Sequence, residues 1–412
     1  MQDGGIVAVE ESLSESARQE IEANGRLLIP TFVNAHLHAC KSFWRQELVK
    51  LPPGVQAKHR FDALADVKRA YTPQSVLERG ERQIRLAIRH GTGAIRLFAD
   101  VDDQAGLRAY QGLRQLKANY PFMTIQLVPF PQNGFARLEG NRELLRQAVE
   151  LGADAVGAVP WLEPTRADQL AHVEYCLDLA REFGLPLHAV ADDTEDPQSQ
   201  TGADLAELAA RHDWPLLLTQ LGSLGFQDDA TAARTIEQIR AAGATVISNG
   251  HIELITSSSG QQPLPRGNTR VRELLAAGVR VVFAQDDIDN PYYPFGRNDL
   301  LEVAHYAAHL NQMAWGEELD TVRRMVTDWP AEALKLPDYG LEVGKRADLL
   351  LLDAPTWHDA VQFQVAKTAV ILDGQVRCTE RREVRLLDGD VDLECSERRQ
   401  PITGAKLSAF SP

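Results

Sequence analysis

Short apolar runs alternate along the chain with stretches whose apolar residues recur every three or four positions. The runs Leu27–Asn34, Gly93–Asp100, Thr124–Val128, Ala155–Val159, Leu185–Ala191, Leu216–Leu221, Thr245–Ser248 and Val279–Ala284 read as eight strands. Between them, Gln74–His90, Asn141–Leu151, Ala167–Phe183, Gly202–His212, Ala230–Ala242 and Arg270–Ala277 read as amphipathic helices; Leu77, Ile84, Ala87 and Ile88 line one face of the first. Strands alternating with helices make parallel βα units. Eight such units predict an α/β fold, a (β/α)8 barrel of the TIM type over residues 30–339.

The two ends follow a different pattern. Ile6–Val9, Leu27–Ile29, the apolar stretch inside Asp348–Asp353, Val365–Leu372 and Val376–Arg377 read as short strands. They predict a small β-sandwich-like domain built from residues 1–29 and 340–390. Residues 391–412 are charged, contain Pro401, and read as a loosely ordered tail.

Composition narrows the function classes. The net charge of −15 argues against nucleic acid, whose phosphates need a basic footprint. The four cysteines, Cys40, Cys176, Cys378 and Cys395, include no C-x-x-C pair and do not read as a disulfide framework. The N-terminus has neither a basic nor an apolar leader region, and no apolar run approaches the ~18–20 residues of a membrane helix. A cytoplasmic protein is therefore expected; the charge says nothing sharp about a small-molecule substrate.

In such a barrel, chemistry sits at the C-terminal strand ends. His36 and His38 follow the first strand. Residues two apart on a strand share a face, so both imidazoles can reach one metal as neutral nitrogen ligands. An isolated H-x-H is more often a pair of ordinary polar residues, so the surrounding motifs decide.

Pro30-Thr-Phe-Val-Asn-Ala-His36-Leu-His38 resembles the opening of an amidohydrolase-superfamily barrel. Three further stretches resemble the cytosine deaminase branch of that superfamily. They are Pro129-Phe-Pro-Gln132-Asn-Gly134, Arg266-Gly-Asn-Thr-Arg-Val-Arg-Glu-Leu-Leu-Ala-Ala-Gly-Val, and Ala284-Gln285-Asp286-Asp287-Ile-Asp-Asn-Pro-Tyr292-Tyr-Pro-Phe-Gly296. Gly340-Leu-Glu-Val-Gly-Lys-Arg-Ala-Asp348 resembles the return to the small β-domain, and the likeness spans roughly residues 5–380. It implies hydrolytic deamination of a cyclic amidine, such as a pyrimidine-like nucleobase, at a divalent metal, zinc or iron. It implies His36, His38 and Asp286 as ligands, with Asp286 also taking a proton from water. Gln132 would contact the ring, with Asp287 and Tyr292 as further substrate-binding candidates. Superfamily members usually carry extra strands before the stretch matching Asp3–Val9. An edge left open there would suit a second subunit, so a homo-oligomer is one expectation.

Four departures stand against that pattern. After the fifth strand the branch has His-x-Asp-Glu followed by a short acidic run. Anchoring on Asp192-Asp193-Thr194-Glu195-Asp196-Pro197 puts Asp193 at the proton-shuttling glutamate and Val190 at the metal histidine. His188 would then lie about 6.5–7 Å too far back along the strand, at about 3.3 Å per residue. A gapped register instead makes His188 the ligand and leaves Ala191 at the glutamate position. Gln220 stands where the branch has a histidine that steadies the attacking hydroxide, Phe98 replaces a histidine after strand 2, and Gln285 replaces one before the metal aspartate. The two glutamines keep hydrogen-bonding capacity, whereas Phe98 and Val190 keep none.

His36, His38 and Asp286 remain as metal ligands, with His188 and Cys40 as secondary candidates; the site binds none if the hole at Val190 is decisive. Catalytic candidates are Asp286, Asp193 and Gln220. Two functions fit: a hydrolase of this branch with an altered metal site, or a degenerate, non-catalytic paralog that keeps the fold as a binding or assembly protein. His251 and the His305/His309 pair are secondary and read as loop or packing residues. Trp44, Arg45 and Tyr292 can close over a planar ring. The stretch Arg45–Thr72 is long for a βα connection and reads as a lid.

Overall fold

The computed structural model of the protein describes residues 1–10, 17–44, 65, 67–138, 140–256, 268–290, 292–383, 386–388 and 391–393. The predicted strand Leu27–Asn34 divides in two. β1 (Leu27–Pro30) leaves the barrel and pairs antiparallel with β10 (Leu349–Leu352), while β2 (Phe32–Leu37) opens the barrel. Pro30 ends an edge strand, where its missing N–H costs no ladder bond.

The barrel strands are β2, β3 (Thr92–Asp100), β4 (Thr124–Phe130), β5 (Val156–Ala158), β6 (Leu187–Ala191), β7 (Leu216–Gln220), β8 (Thr245–Ser248) and β9 (Val281–Phe283). They pair in parallel as β2-β3-β4 and β5-β6-β7-β8-β9. Two seams join these sheets. Asp154 N donates to Leu127 O (2.9 Å) between β4 and β5, and Gly157 permits this approach because a Cβ there would collide with the Pro129 carbonyl. At the other seam, Asp286 bridges Leu37 in parallel. The chain is thus a closed eight-stranded barrel.

Helices α1 (Pro73–Arg89), α2 (Arg108–Asn119), α3 (Asn141–Glu150), α4 (Arg166–Phe183), α5 (Thr201–Arg211) and α6 (Asp229–Ala241) follow successive barrel strands. After β8 come α7 (Gly250–Thr256) and α8 (Val271–Ala276), then α9 (Leu300–Leu310), α10 (Glu317–Arg324), α11 (Asp328–Ala333) and α12 (Trp357–Phe363). Thr72 starts α1 with a capping box to Ser75, and Pro73 at the first helical position needs no N–H partner.

Strand alternation separates packing from chemistry. Leu187, Ala189 and Ala191 of β6 join the outer core beneath the helices, which leaves His188 and Val190 facing inward. Inside, Val33, Ala35, Leu217, Ile247, Val282 and Ala284 pack with Ala331 of α11 and Leu334, filling one end of the barrel with apolar side chains.

The terminal segments build a four-stranded antiparallel sheet, β1-β10-β11-β12, with β11 at Lys367–Leu372 and β12 at Gln375–Cys378. Ile6–Val9 is not a strand. Gly5 bridges Arg346 and Ile6 N donates to Lys345 O (2.8 Å), which buries Ile6 against Ala347, Leu349 and Ile371 without a ladder. In the predicted tail, Val391–Leu393 (β14) pairs with Leu386–Asp388 (β13); residues 394–412 lie outside the described residues.

A buried ion pair fastens the sheet to the barrel: Lys367 Nζ lies 2.7 Å from Asp299, which also caps α9 and faces His90 Nδ1 at 3.3 Å. Arg297 Nη2 still faces Asp299 at 3.2 Å when the lysine is removed, so Lys367→Met should cost about 1–3 kcal/mol in chemical denaturation. Unchanged stability would show that the pair is not a fastening.

Candidate active site

The site forms where the first and last barrel strands meet. His38 N donates to Asp286 O (2.9 Å) and Asp286 N donates to His36 O (2.9 Å). Asp286 holds this position at φ 60°, a backbone region that non-glycine residues seldom occupy. Its Oδ1 lies 3.0 Å from His36 Nε2 and 3.5 Å from His38 Nε2, and the two Nε2 atoms are 3.2 Å apart. Among the described residues these three form the group whose donor atoms lie mutually within 4.8 Å, and all three are buried.

Electrostatics fit a cation at this point. Burial lowers the His36 imidazole to about 3 and the His38 imidazole well below its usual value, so both are neutral and each keeps a lone pair. Burial raises Asp286 to about 7. Burial and then the charge of Asp286 do the same for Asp287. Asp193 is only partly covered by surface area, yet it is also held near 7 by its enclosed setting and by Asp286 and Asp287. Two neutral imidazole nitrogens and a carboxylate suit zinc or another first-row divalent ion.

The other predicted site residues divide by position. Gln220 Nε2 donates to Asp286 Oδ2 (2.7 Å), so the glutamine orients the aspartate. Gln132 is buried and its Oε1 accepts from Lys41 Nζ. Asp287 accepts from Asn290, and Tyr292 is buried with Lys41 Nζ 5.5 Å from its ring centre. Val190 faces inward within an apolar patch of Phe98, Val128, Phe130 and Val159. The ring of Phe98 lies 4.2 Å from that of His36 and 4.7 Å from that of His188.

His188 and Cys40 do not join the donor group, although the His188 ring lies 5.6 Å from that of His36. His188 Nδ1 accepts from Arg96 Nη1 (3.2 Å) and Nε2 donates to Thr219 Oγ1 (2.8 Å), so both nitrogens are in use. Cys40 lies on a short 3-10 turn, Ala39–Lys41, rather than on an extended continuation of β2. Its thiol packs in the outer core, points at Phe98 O, and is pushed by burial to about 12.

His251 is not solvated; it is buried, stacks on Tyr306 and faces Gln285 Nε2 at 3.2 Å. His305 and His309 stack on each other along α9, and His305 Nδ1 faces Val361 O at 3.3 Å. Trp44 packs against Arg79. Arg45, most of the candidate lid (residues 45–64 and 66) and Arg266–Gly267 lie outside the described residues.

Sequence reasoning missed Lys41. The turn Ala39–Lys41 folds it back into the barrel, buried beside Gln132 and 3.4 Å from Asp100. Asp100 is shared with buried Lys68 (3.0 Å), which also binds Asp102 (2.6 Å). The available signal was a cationic residue three positions beyond the H-x-H, unremarkable until the turn is seen.

Comparison with known proteins supplies the lineage. The amidohydrolase family profile matches residues 54–378. The crystal structure of 5-methylcytosine deaminase from Klebsiella pneumoniae, liganded with phosphonocytosine, superposes with a TM-score of 0.88 at 31% identity, covering 94% of this chain and 96% of that one. The chain belongs to the amidohydrolase family. Its relatives include N-isopropylammelide isopropyl amidohydrolase of Pseudomonas sp., 26% identical over 90% of this chain and 91% of the relative. Pterin deaminase of Rhizobium rhizogenes is 28% identical over 87% and 82%.

Two measurements follow for this amidohydrolase. Asp286 must be ionised to coordinate, so zinc affinity should fall about tenfold per pH unit below 7 in a titration from pH 8 to pH 5.5. A raised folded-state pKa stabilises at low pH and loses that contribution as pH rises through it, so the metal-free protein should melt higher at pH 6 than at pH 8. A flat profile would contradict the shift. Val190→His should raise zinc affinity about tenfold or more by adding an imidazole to the inner wall; no gain in competition with a chelator would place Val190 away from the metal.

Proposed function

We propose that this amidohydrolase is a divalent-metal hydrolase that cleaves a C–N bond of an aminated nitrogen heterocycle, replacing the exocyclic amine with oxygen from water. The observation that carries the reading is the convergence of His36, His38 and Asp286 beside Asp193 and Lys41. The named relatives act on ring systems of that kind, which supports the substrate class.

A zinc or iron ion on His36, His38 and Asp286 supplies the Lewis acidity that makes water a nucleophile near neutral pH. Gln220 fixes the free oxygen of Asp286 so that the other oxygen faces the imidazoles. Asp193, held near 7, exists in both protonation states at neutral pH. It is therefore suited to carry a proton to a ring nitrogen and then to the departing amine. Lys41 and Gln132 donate to a ring carbonyl and ring edge, with Lys41 preset by Asp100 and Gln132. Phe98, Phe130 and Val190 give the ring an apolar wall and exclude water.

A second reading, a non-catalytic paralog that keeps the pocket, draws on Val190 and Phe98, which fill with hydrocarbon the space where the cytosine deaminase branch carries histidines. Metal content and ammonia release separate the two. The hydrolase reading expects one zinc or iron per chain and ammonia from at least one aminopyrimidine, aminotriazine or aminopteridine. Asp193→Asn should lower kcat about 10²–10⁴-fold while keeping the metal. A protein that stays inactive on all three ring classes after zinc or iron is loaded establishes the second reading.

A further inference from the structure

A buried carboxylate stands behind the loop that carries Gln132. Glu163 ends the short 3-10 turn Pro160–Leu162 after β5 and is 4% exposed. Its two oxygens accept from successive main-chain N–H groups of the loop after β4, Oε1 from Phe135 N (2.6 Å) and Oε2 from Ala136 N (3.1 Å). Oε1 also faces His172 Nδ1 of α4 at 2.7 Å. The other nitrogen of that ring, Nε2, accepts from Val159 N (3.0 Å), so the Nδ1 proton goes to Glu163. Phe135 stacks on the His172 ring with centres 4.1 Å apart.

Gln132 sits three residues before Phe135 in the same loop. The stretch between them is a tight turn, in which Gly134 N donates to Pro131 O (2.8 Å) and Gly134 O accepts from Asn141 Nδ2 (2.8 Å). Gly134 lies at φ 69°, and a Cβ there would come within 2.8–3.0 Å of the Glu163 carboxyl. The loop therefore rests on the carboxylate with little room to shift. Burial alone would push the Glu163 carboxyl up; the His172 hydrogen bond and the two main-chain N–H groups outweigh it and hold the group below its usual value, ionised at neutral pH. Gln132 turns its oxygen to Lys41, which can only donate, so its amide N–H groups are the ones available to a ring.

We propose that Glu163, held by His172, is a positioning residue for Gln132: it fixes the loop 131–136 so that the Gln132 amide donates to an acceptor atom of the bound ring, a carbonyl oxygen or an unprotonated nitrogen. The inference rests on the ring-binding role of Gln132 in the proposed function and adds the group that sets its aim. An apolar side chain at position 163 would pack behind the loop without the cost of a buried charge. The carboxylate does what packing cannot, fixing two consecutive N–H groups in direction as well as in place. Glu163 touches no reacting atom and acts through Gln132 alone.

A double-mutant cycle tests it, read as uracil affinity in calorimetric titration of the zinc-loaded protein. Uracil offers ring carbonyls and has no exocyclic amine to lose, so it stays intact during the titration. Glu163→Gln sets an amide donor against the donors that the carboxylate now accepts from, and should weaken uracil binding about tenfold or more. In a Gln132→Leu background the same substitution should change affinity by less than about twofold. Gly134→Ala, which crowds the carboxylate while leaving Glu163 in place, should follow the same pattern, and it carries the test if Glu163→Gln does not fold. An equal loss with and without Gln132 overturns the positioning role and leaves a purely structural carboxylate, as does full uracil affinity in Glu163→Gln. If the parent protein binds no uracil, or Gln132→Leu binds it equally well, the ring contact of Gln132 falls, and the positioning role with it.

Discussion

The closure of the barrel between its first and last strands is the constraint on which the site depends. The two backbone hydrogen bonds that close it join His36 and His38 to Asp286, the same three residues whose side chains converge. Register and chemistry are therefore one fact: a slip of β2 against β9 would move both imidazoles away from the carboxylate. The closure also holds Asp286 at positive φ and presses its carboxylate against two buried neutral rings. Such an arrangement is costly without a cation and favourable with one, the usual relation between a functional centre and the stability of its fold.

Around that point the chamber has unlike walls. Phe98, Val128, Phe130 and Val190 make an apolar side. Lys41, Asp100, Lys68 and Asp102 make a charged network whose members neutralise one another away from water. Asp193, Asp286 and Asp287 share too little positive charge, and burial pushes all three toward neutrality. Phe98 and Val190 thus fill that side with hydrocarbon and offer no donor there.

The fold was legible because alternating apolar runs and amphipathic helices are local, repeated signals. All eight barrel strands lie within a few residues of the runs that predicted them. The division at Thr31 was partly legible, because Pro30-Thr31 interrupts the run and Leu27–Ile29 already read as a strand of the terminal sheet, although the same run also read as one strand to Asn34; the pairing of β1 with β10 separates the two. Ile6–Val9 misled: apolar residues buried against a sheet edge look like a strand without forming one. At the site, His36, His38 and Asp286 were legible from spacing and family likeness. Lys41 was not, since only the turn Ala39–Lys41 folds it inward and buries it. Cys40 looked like an extension of the ligand run until the turn Ala39–Lys41 carried it outward.

In the proposed centre a cation meets two imidazoles and one aspartate, beside the hydrocarbon of Phe98 and Val190. X-ray absorption at the zinc edge of the loaded protein tests it most directly. The prediction is two imidazole rings with oxygen making up the remaining shell, reduced to one ring in His36→Ala. Three imidazoles, which would bring His188 into the shell, or a zinc–sulfur distance, which would bring in Cys40, would contradict it.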